Sequence, residues 1–558
     1  MSTSTRTPAS TTWTLPAVPE AELVTLAGLV AFALKPGDTV TLAGNLGAGK
    51  TTFARAAIRA LLADPLAEVP SPTFSLVQTY ETPRFPLAHA DLYRLSDDAD
   101  LAELGLDEAL ATGALLIEWP ERAADELAAG RLEIGLSETA SGDARRVCLT
   151  GTGDWPARLA RIEAAWELIS AAGWSRALVH YLQGDASPRR YARLVKVLPP
   201  PLRGRDGEGG IAEQPMSGGH PPNPFPPPPT TPHAGEGSAS ALLMDSPRMP
   251  DGPPIRDGLP YSRIAHLAED VRPFVAVGAA LAGAGLSAPA ILAQDLERGL
   301  LLIEDLGDRV LGAEIANGAD QLPLWRAATD ALLALRKVPA PERLAMGGGH
   351  HHLPLYDRRA MTIETELLLD WYWPALLGTP CPAEARAAFA AGWNAVFDRL
   401  LSLPTGWVLR DYHSPNLIWL PQRPAPANVG IIDFQDAMRG HPAYDLVSLL
   451  QDARLDVPAA IEAELLDHYC NAATAAELDF SIADFRFAYA ALGAQRNTKI
   501  LGIFARLARR DGKPGYLAHI PRIWGYLARD LAAPDLALLR AWYDQHLPAE
   551  VRGRRLAP

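Results

Sequence analysis

Residues 38–43, DTVTLA, read as a buried strand, and the chain passes from it into Gly44-Asn45-Leu46-Gly47-Ala48-Gly49-Lys50-Thr51 and then a helical run over 52–62. No other feature restricts the fold as much. A buried strand that ends in a Gly-rich turn and a helix N-terminus is the phosphate-loop pattern of an α/β domain, in its required context. The glycines let backbone N–H groups wrap an anion, and the helix dipole favours negative charge at the same place. Lys50 is placed to reach β- and γ-phosphates, and the Thr51 hydroxyl to ligate Mg²⁺. ATP and Mg²⁺ are therefore expected here, held by Gly44, Asn45, Gly47, Ala48, Gly49, Lys50, Thr51 and Thr52.

Three further segments accompany this loop: SPTF (71–74), HADLYRL (89–95) and LLIEWPER (115–122). Asp91, just past a short strand, suits a water-mediated hold on Mg²⁺, or else a cap. Glu118 ends the apolar strand 114–117, where such sheets place catalytic groups, and a carboxylate there orients an attacking water. The alternative is a surface carboxylate. Trp119 reads as a ring that stacks on nucleotide, closes the site, or packs in the core. Together with the loop, these segments resemble the TsaE family, the small ATPases needed for threonylcarbamoyladenosine formation in tRNA, over nearly all of 15–135. The resemblance implies a partner complex of the TsaD and TsaB type, reset by ATP hydrolysis. The partners then perform the transfer, and contact with tRNA is indirect.

With 558 residues, the chain is too long for one core, and two or three domains are expected. A net charge of -14 argues against broad electrostatic binding of nucleic acid. No apolar run approaches membrane-spanning length, and 23–34 reads as an amphipathic helix. The three cysteines are scattered, which suggests neither disulfides nor a zinc site, and a cytoplasmic location is expected with no membrane partner. Turn-rich residues 141–155 mark a boundary, giving domains at 1–152 and 156–558. Residues 199–240 turn Pro- and Gly-rich, with PPNPFPPPPTTP among them, and read as a disordered insertion between two strands of one sheet.

The second domain carries Leu409-Arg410-Asp411-Tyr-His-Ser-Pro-Asn416, the apolar 417–420, and then Ile431-Ile432-Asp433-Phe434. This is the catalytic-loop spacing of kinases: Asp411 as base on the acceptor hydroxyl, Asn416 turning back onto Mg²⁺, and Asp433 as the second metal carboxylate. Leu409 stands where a structural His is usual. The pattern resembles the aminoglycoside phosphotransferase and choline kinase superfamily, which implies a small nucleotide lobe (156–305) and a helical lobe (306–558). The expected fold is thus an α/β P-loop domain followed by an α+β, two-lobed, protein-kinase-like domain. In the small lobe, Gly184, Asp185 and Ser187 are expected to cover phosphate, and LLLIEDLG (300–307) to form the hinge strand. Met244 stands where the third-strand Lys is expected, leaving Lys196 or Arg193 to supply the charge.

The stretches GDASPRRYARL, LLMDSP, IIDFQDAMRGHPAYDLVSLLQDAR and AQRNTKILGIFARLARRDGK resemble anomeric kinases of the N-acetylmuramate and N-acetylglucosamine (AmgK) type. That resemblance implies ATP-dependent phosphorylation of a sugar C1 hydroxyl, as used in cell-wall recycling. Glu366, Asp445 and Arg496 are candidate sugar-pocket residues, or packing ion pairs; an Arg suits a lactyl carboxylate. Trp371, Tyr372 and Trp373 read as a sugar platform or a core cluster, and His350–His352 as a plain surface loop. Two alternatives stay open for this half: an antibiotic or small-alcohol phosphotransferase, and a non-catalytic nucleotide-sensing module.

Overall fold

The computed structural model describes residues 10–95, 104–123, 127, 130–182, 189–196, 239–552, 554 and 556. Gly184, Asp185 and Ser187, and all but the last two residues of the expected insertion, lie outside them. The chain forms two compact units. One takes residues up to Pro247 together with Ile291–Asp305; the other takes Arg248–Ala290 and Leu306 onward. Among the described residues no helix is long and apolar enough to cross a membrane.

The first unit holds two sheets. One comprises β1 (Thr11–Pro19), β2 (Thr39–Ala43), β3 (Val77–Tyr80), β4 (Leu87–Asp91), β5 (Ala114–Glu118), β6 (Leu132–Glu138) and β7 (Ala144–Gly151), in the order β1-β7-β6-β2-β5-β4-β3. β2 lies between parallel partners β5 and β6, so its residues are buried on both faces, Thr39 and Thr41 with them. Helices α1 (Glu20–Ala33) and α2 (Lys50–Leu62) pack against each other beside this sheet. A turn after β7 leads into α4 (Trp155–Ala171), with α3 (Leu106–Thr112) lying earlier in the chain. The second sheet follows: β8 (Ala177–Leu182), β9 (Arg190–Lys196), β10 (Ser240–Asp245), β11 (Ile291–Asp295) and β12 (Leu300–Glu304), ordered β11-β12-β10-β9-β8. The strands flanking the Pro-rich stretch, β9 and β10, are antiparallel neighbours, as their sequences suggested.

Two expectations change here. Residues 141–155 do not separate two cores: one apolar cluster runs through Trp13, Leu42, Leu149, Trp155, Val179, Leu194, Leu243 and Leu302. And α1 is not amphipathic, because Leu23 and residues 25–33 are all buried. It meets α2, α4 and β8, so beyond its first turn almost all of it is covered.

The second unit is mainly helical. Elements used below are α5 (Arg272–Gly283), α6 (Gln321–Arg336), α7 (Arg358–Leu367), α8 (Ala443–Leu450) and α9 (Ile482–Arg510). Short strand pairs frame residues 409–433: β13 (Gly406–Val408) with β16 (Met438–Gly440), and β14 (Leu417–Trp419) with β15 (Val429–Ile431). Tyr372 and Trp373 are buried against Trp524 and Trp542, so they are core rings and no sugar platform. The triple His is not a plain loop: Gly349–His352 is a strand paired with Arg343–Met346.

Candidate active sites

The phosphate loop leaves β2 with Gly44, Gly47 and Gly49 all at positive φ. Gly44 is obligatory, since a Cβ there would stand 2.2 Å from the Leu136 carbonyl oxygen. Lys50 opens α2, and its ammonium donates to the carbonyls of Gly44 (2.7 Å) and Asn45 (3.0 Å). The same ammonium lies 3.6 Å from the centre of the Trp119 ring, which packs on Tyr93. Trp119 thus closes the site over the lysine. Burial lowers the Lys50 pKa, opposed by the charges of Glu118, Glu121 and Asp91.

Parallel pairing of β4 with β5 sets Asp91 directly opposite Glu118 at the strand ends. Glu118 is 1% exposed: one carboxylate oxygen accepts from Thr51 Oγ1 (2.9 Å), the other lies 3.0 Å from His89 Nε2. It is a buried, oriented group, and the surface-carboxylate reading falls away. Asp91 accepts from Ser71 (3.1 Å) and Thr73 (2.8 Å) through one oxygen and from the Tyr93 N–H (3.1 Å) through the other. Gly47, Gly49, Lys50, Thr51, Thr52, Asp91, Glu118 and Trp119 line one cavity of about 370 Å³. Asn45 and Ala48 act through their backbones, the Ala48 carbonyl accepting from Arg145 Nε (3.1 Å). The hydroxyl and carboxylate oxygens of Thr51 and Asp91 are the hard donors Mg²⁺ prefers. His89, Ser71, Thr73 and Arg145 were not singled out from sequence. The first three lay inside the quoted segments, whereas Arg145 comes from β7 and carried no signal.

In the second unit β13 delivers Leu409, Arg410 and Asp411. Arg410 has a φ of 74° and Asp433 of 59°, backbone states that need support in non-Gly residues. The support is visible. Asp445, at the start of α8, accepts from the N–H groups of Leu409 (2.6 Å) and Arg410 (2.9 Å). Asp452 accepts from the Ser414 N–H (2.8 Å). Asn416 donates to the Asp411 carbonyl (3.0 Å) and lies 3.4 Å from Asp433 Oδ2, while Gln435 donates to Asp433 Oδ1 (2.8 Å). Asp411, Asn416 and Asp433 are therefore brought together, and among the described residues the Asp411 carboxylate has no hydrogen-bond partner.

Asp445 does not line a sugar pocket through its carboxylate. At 1% exposure with both oxygens taken by the catalytic loop, it positions that loop. Burial pushes its carboxyl up to about 7, against the two N–H donors. Glu366 is ion-paired with Arg256, the packing alternative. Arg496 on α9 is 6% exposed, its Nη1 has no hydrogen-bond partner among the described residues, and its charge acts on His413 of the loop.

The Lys196 expectation also changes. Side chains alternate along β9, so Lys196 shares the face of Ala192 and Leu194, which belong to the core. There its ammonium lies 4.3 Å from the Trp174 ring. Arg193 occupies the opposite face, in register with Leu242 and ion-paired with Asp305 at 2.7 Å. Met244, where a lysine was expected, is 1% exposed.

A buried cluster lies behind the loop. Glu364 on α7, 0% exposed, accepts from Arg410, Lys499 (2.9 Å), Tyr356 (2.6 Å) and Gln495 (3.0 Å). Burial pushes its carboxyl up, but Lys499 and Arg410 outweigh this and hold it at about 2. The depressed value means that its contribution is complete above the ordinary 4.5 and is lost as pH falls toward 2. Glu364→Gln is expected to cost about 3–5 kcal/mol near neutrality, since it leaves two buried cations uncompensated, and to flatten the acid limb of the stability profile. Urea unfolding between pH 3 and 7 measures both; a change under about 1 kcal/mol would mean the cluster is not structural.

Comparison with known proteins finds two sets of relatives, one for each part of the chain. A family model for the threonylcarbamoyl adenosine biosynthesis protein TsaE matches residues 18–147, and one for the phosphotransferase enzyme family matches residues 235–480. An N-acetylmuramate/N-acetylglucosamine kinase of Caulobacter vibrioides is 42% identical over 325 residues, 57% of this chain and 88% of that protein. A kinase of the same description from Pseudomonas aeruginosa is 38% identical over 278 residues, 49% of this chain and 77% of that one. A tRNA threonylcarbamoyladenosine biosynthesis protein TsaE from Rickettsia bellii is 41% identical over 129 residues, 23% of this chain and 88% of that protein. The chain is thus a fusion that belongs to two families, the TsaE ATPases through its first part and the N-acetylmuramate/N-acetylglucosamine kinases through its second.

Proposed function

We propose that the protein is a bifunctional ATP-dependent enzyme. Its first part hydrolyses ATP in support of threonylcarbamoyladenosine formation, beside a TsaD- and TsaB-type complex that contacts the tRNA. Its second part phosphorylates the anomeric hydroxyl of N-acetylmuramate or N-acetylglucosamine. The observation that carries the kinase reading is the assembled trio Asp411, Asn416 and Asp433 in a chain 42% identical to such a kinase.

When bound, MgATP supplies the transferable phosphoryl group and the charge that screens it. Asp411 takes the proton of the acceptor hydroxyl. Asn416, whose amide nitrogen is engaged by the Asp411 carbonyl, keeps its oxygen for the metal, and Asp433 gives the carboxylate. Arg193, on the strand face opposite Lys196, supplies the cation that Met244 does not. Where the acceptor is N-acetylmuramate, Arg496, whose Nη1 has no hydrogen-bond partner among the described residues, meets its lactyl carboxylate. In the first part Lys50 and the loop hold phosphates, Thr51 and Asp91 hold the metal, and Glu118, fixed by His89, orients the attacking water.

The test is ATP consumption by the full chain with N-acetylmuramate, N-acetylglucosamine, kanamycin or choline. Turnover with an amino sugar, and at least about tenfold less with the other two, is expected. Preference for kanamycin or choline would reassign the acceptor, and no acceptor-dependent turnover would favour a nucleotide-sensing module.

A further inference from the structure

We propose that the P-loop domain is an integral part of the kinase's small lobe, the two folding and opening as one cooperative unit across a seam between α1 and β8. The separate families give no reason to expect this, and it does not depend on which sugar is phosphorylated.

β8 is the edge strand of the second sheet, and its inward residues Ala177 and Val179 join the core that extends through the first sheet. An apolar face at a sheet edge needs a cover. α1 supplies it. Gly28 sits where helix and strand are closest: a Cβ added there would lie 2.6 Å from Val179 Cβ, nearer than side chains approach. One turn earlier, Thr25 Oγ1 donates to the Ala177 carbonyl at 2.7 Å, in a fully buried contact. Thr25 and Gly28 serve the seam.

Polar groups close the seam's margins. The Arg84 guanidinium donates to the Ala31 carbonyl (2.9 Å) near the end of α1 and lies 4.3 Å from the Tyr181 ring of β8. Asp38, just before β2 and 3% exposed, is ion-paired with Arg158 of α4 at 2.6 Å. Removing the P-loop domain would therefore uncover apolar strand surface and take the Asp38 carboxylate away from Arg158. Surfaces of that kind join two sheets into a single folding unit, unlike the polar contacts typical between independent domains.

A glycine inside a helix is normally weaker than alanine, so Gly28→Ala would slow amide exchange of a free α1. Across this seam the sign reverses. In the full-length protein, Gly28→Ala is expected to speed exchange in α1 and in β8 together, by roughly tenfold or more. Gly28→Ala/Val179→Gly, which transfers the Cβ from strand to helix, is expected to restore the α1 rate to within about threefold. Thr25→Val, a milder change, is expected to speed β8 exchange by roughly threefold or more. Mass spectrometry of peptides covering 20–33 and 177–182 reads all three without an activity assay, so the result is separable from the substrate assignment. Faster exchange in α1 with β8 unchanged, or slower exchange in Gly28→Ala, would overturn the proposal. Should Gly28→Ala prove insoluble, an unchanged β8 rate in Thr25→Val overturns it equally.

Discussion

Asp411→Asn is expected to lower sugar phosphorylation by about 10²–10⁴-fold, the range for removing a positioned general base. The substitution is close to isosteric, and the contacts that shape the loop bypass the carboxylate. Asn416 is held by the Asp411 carbonyl, Asp445 holds the N–H groups of Leu409 and Arg410, and Asp452 holds Ser414. The loss should therefore fall on kcat, with KM for ATP within about twofold, because a group acting only in the transition state leaves ground-state binding intact. Steady-state kinetics with N-acetylmuramate and ATP separate the two. A kcat preserved within about threefold would remove Asp411 as the base.

Glu118→Gln is expected to reduce ATP hydrolysis by the first part by a similar factor, about 10²–10⁴, while nucleotide still binds. Lys50 and the glycine loop, which carry binding, are untouched. The carboxylate, by contrast, has both oxygens committed, one to Thr51 and one to His89. An amide keeps the shape and one acceptor but puts an uncharged N–H₂ where the carboxylate's second oxygen would take up a proton from the attacking water. Measuring ATPase turnover in an Asp411→Asn background isolates this site, and binding of a fluorescent ATP analogue serves as the control. Hydrolysis within about threefold of the parent would make Glu118 structural.

Local motifs were readable because their chemistry depends on neighbours in the chain. The phosphate loop, SPTF, HADLYRL and LLIEWPER carry Lys50, Thr51, Asp91 and Glu118, and the kinase segment carries Asp411, Asn416 and Asp433, each set within short spans. The misreadings share another cause. Asp445 resembled a sugar ligand since an acidic residue near a catalytic motif carries no mark of which atoms its oxygens meet. Lys196 seemed a substitute for the missing lysine until strand alternation put it on the core face, over Trp174. Trp371, Tyr372 and Trp373 were equivocal because three aromatics in a row suit a platform or a core equally well, and only packing against Trp524 and Trp542 decides for Tyr372 and Trp373.

The amino-acid sequence by itself determined the two chemistries, since catalytic loops are short and their residue types and spacings are set by the reaction. Tertiary structure alone decided where the cores lie. The turn-rich stretch at 141–155 looks like a boundary, yet the apolar residues before and after it close on one another, and α1, which reads as amphipathic, is buried at Leu23 and throughout 25–33. Burial is a property of pairs of surfaces far apart in the chain, here Gly28 and Val179, and no local pattern encodes which partner a surface will meet.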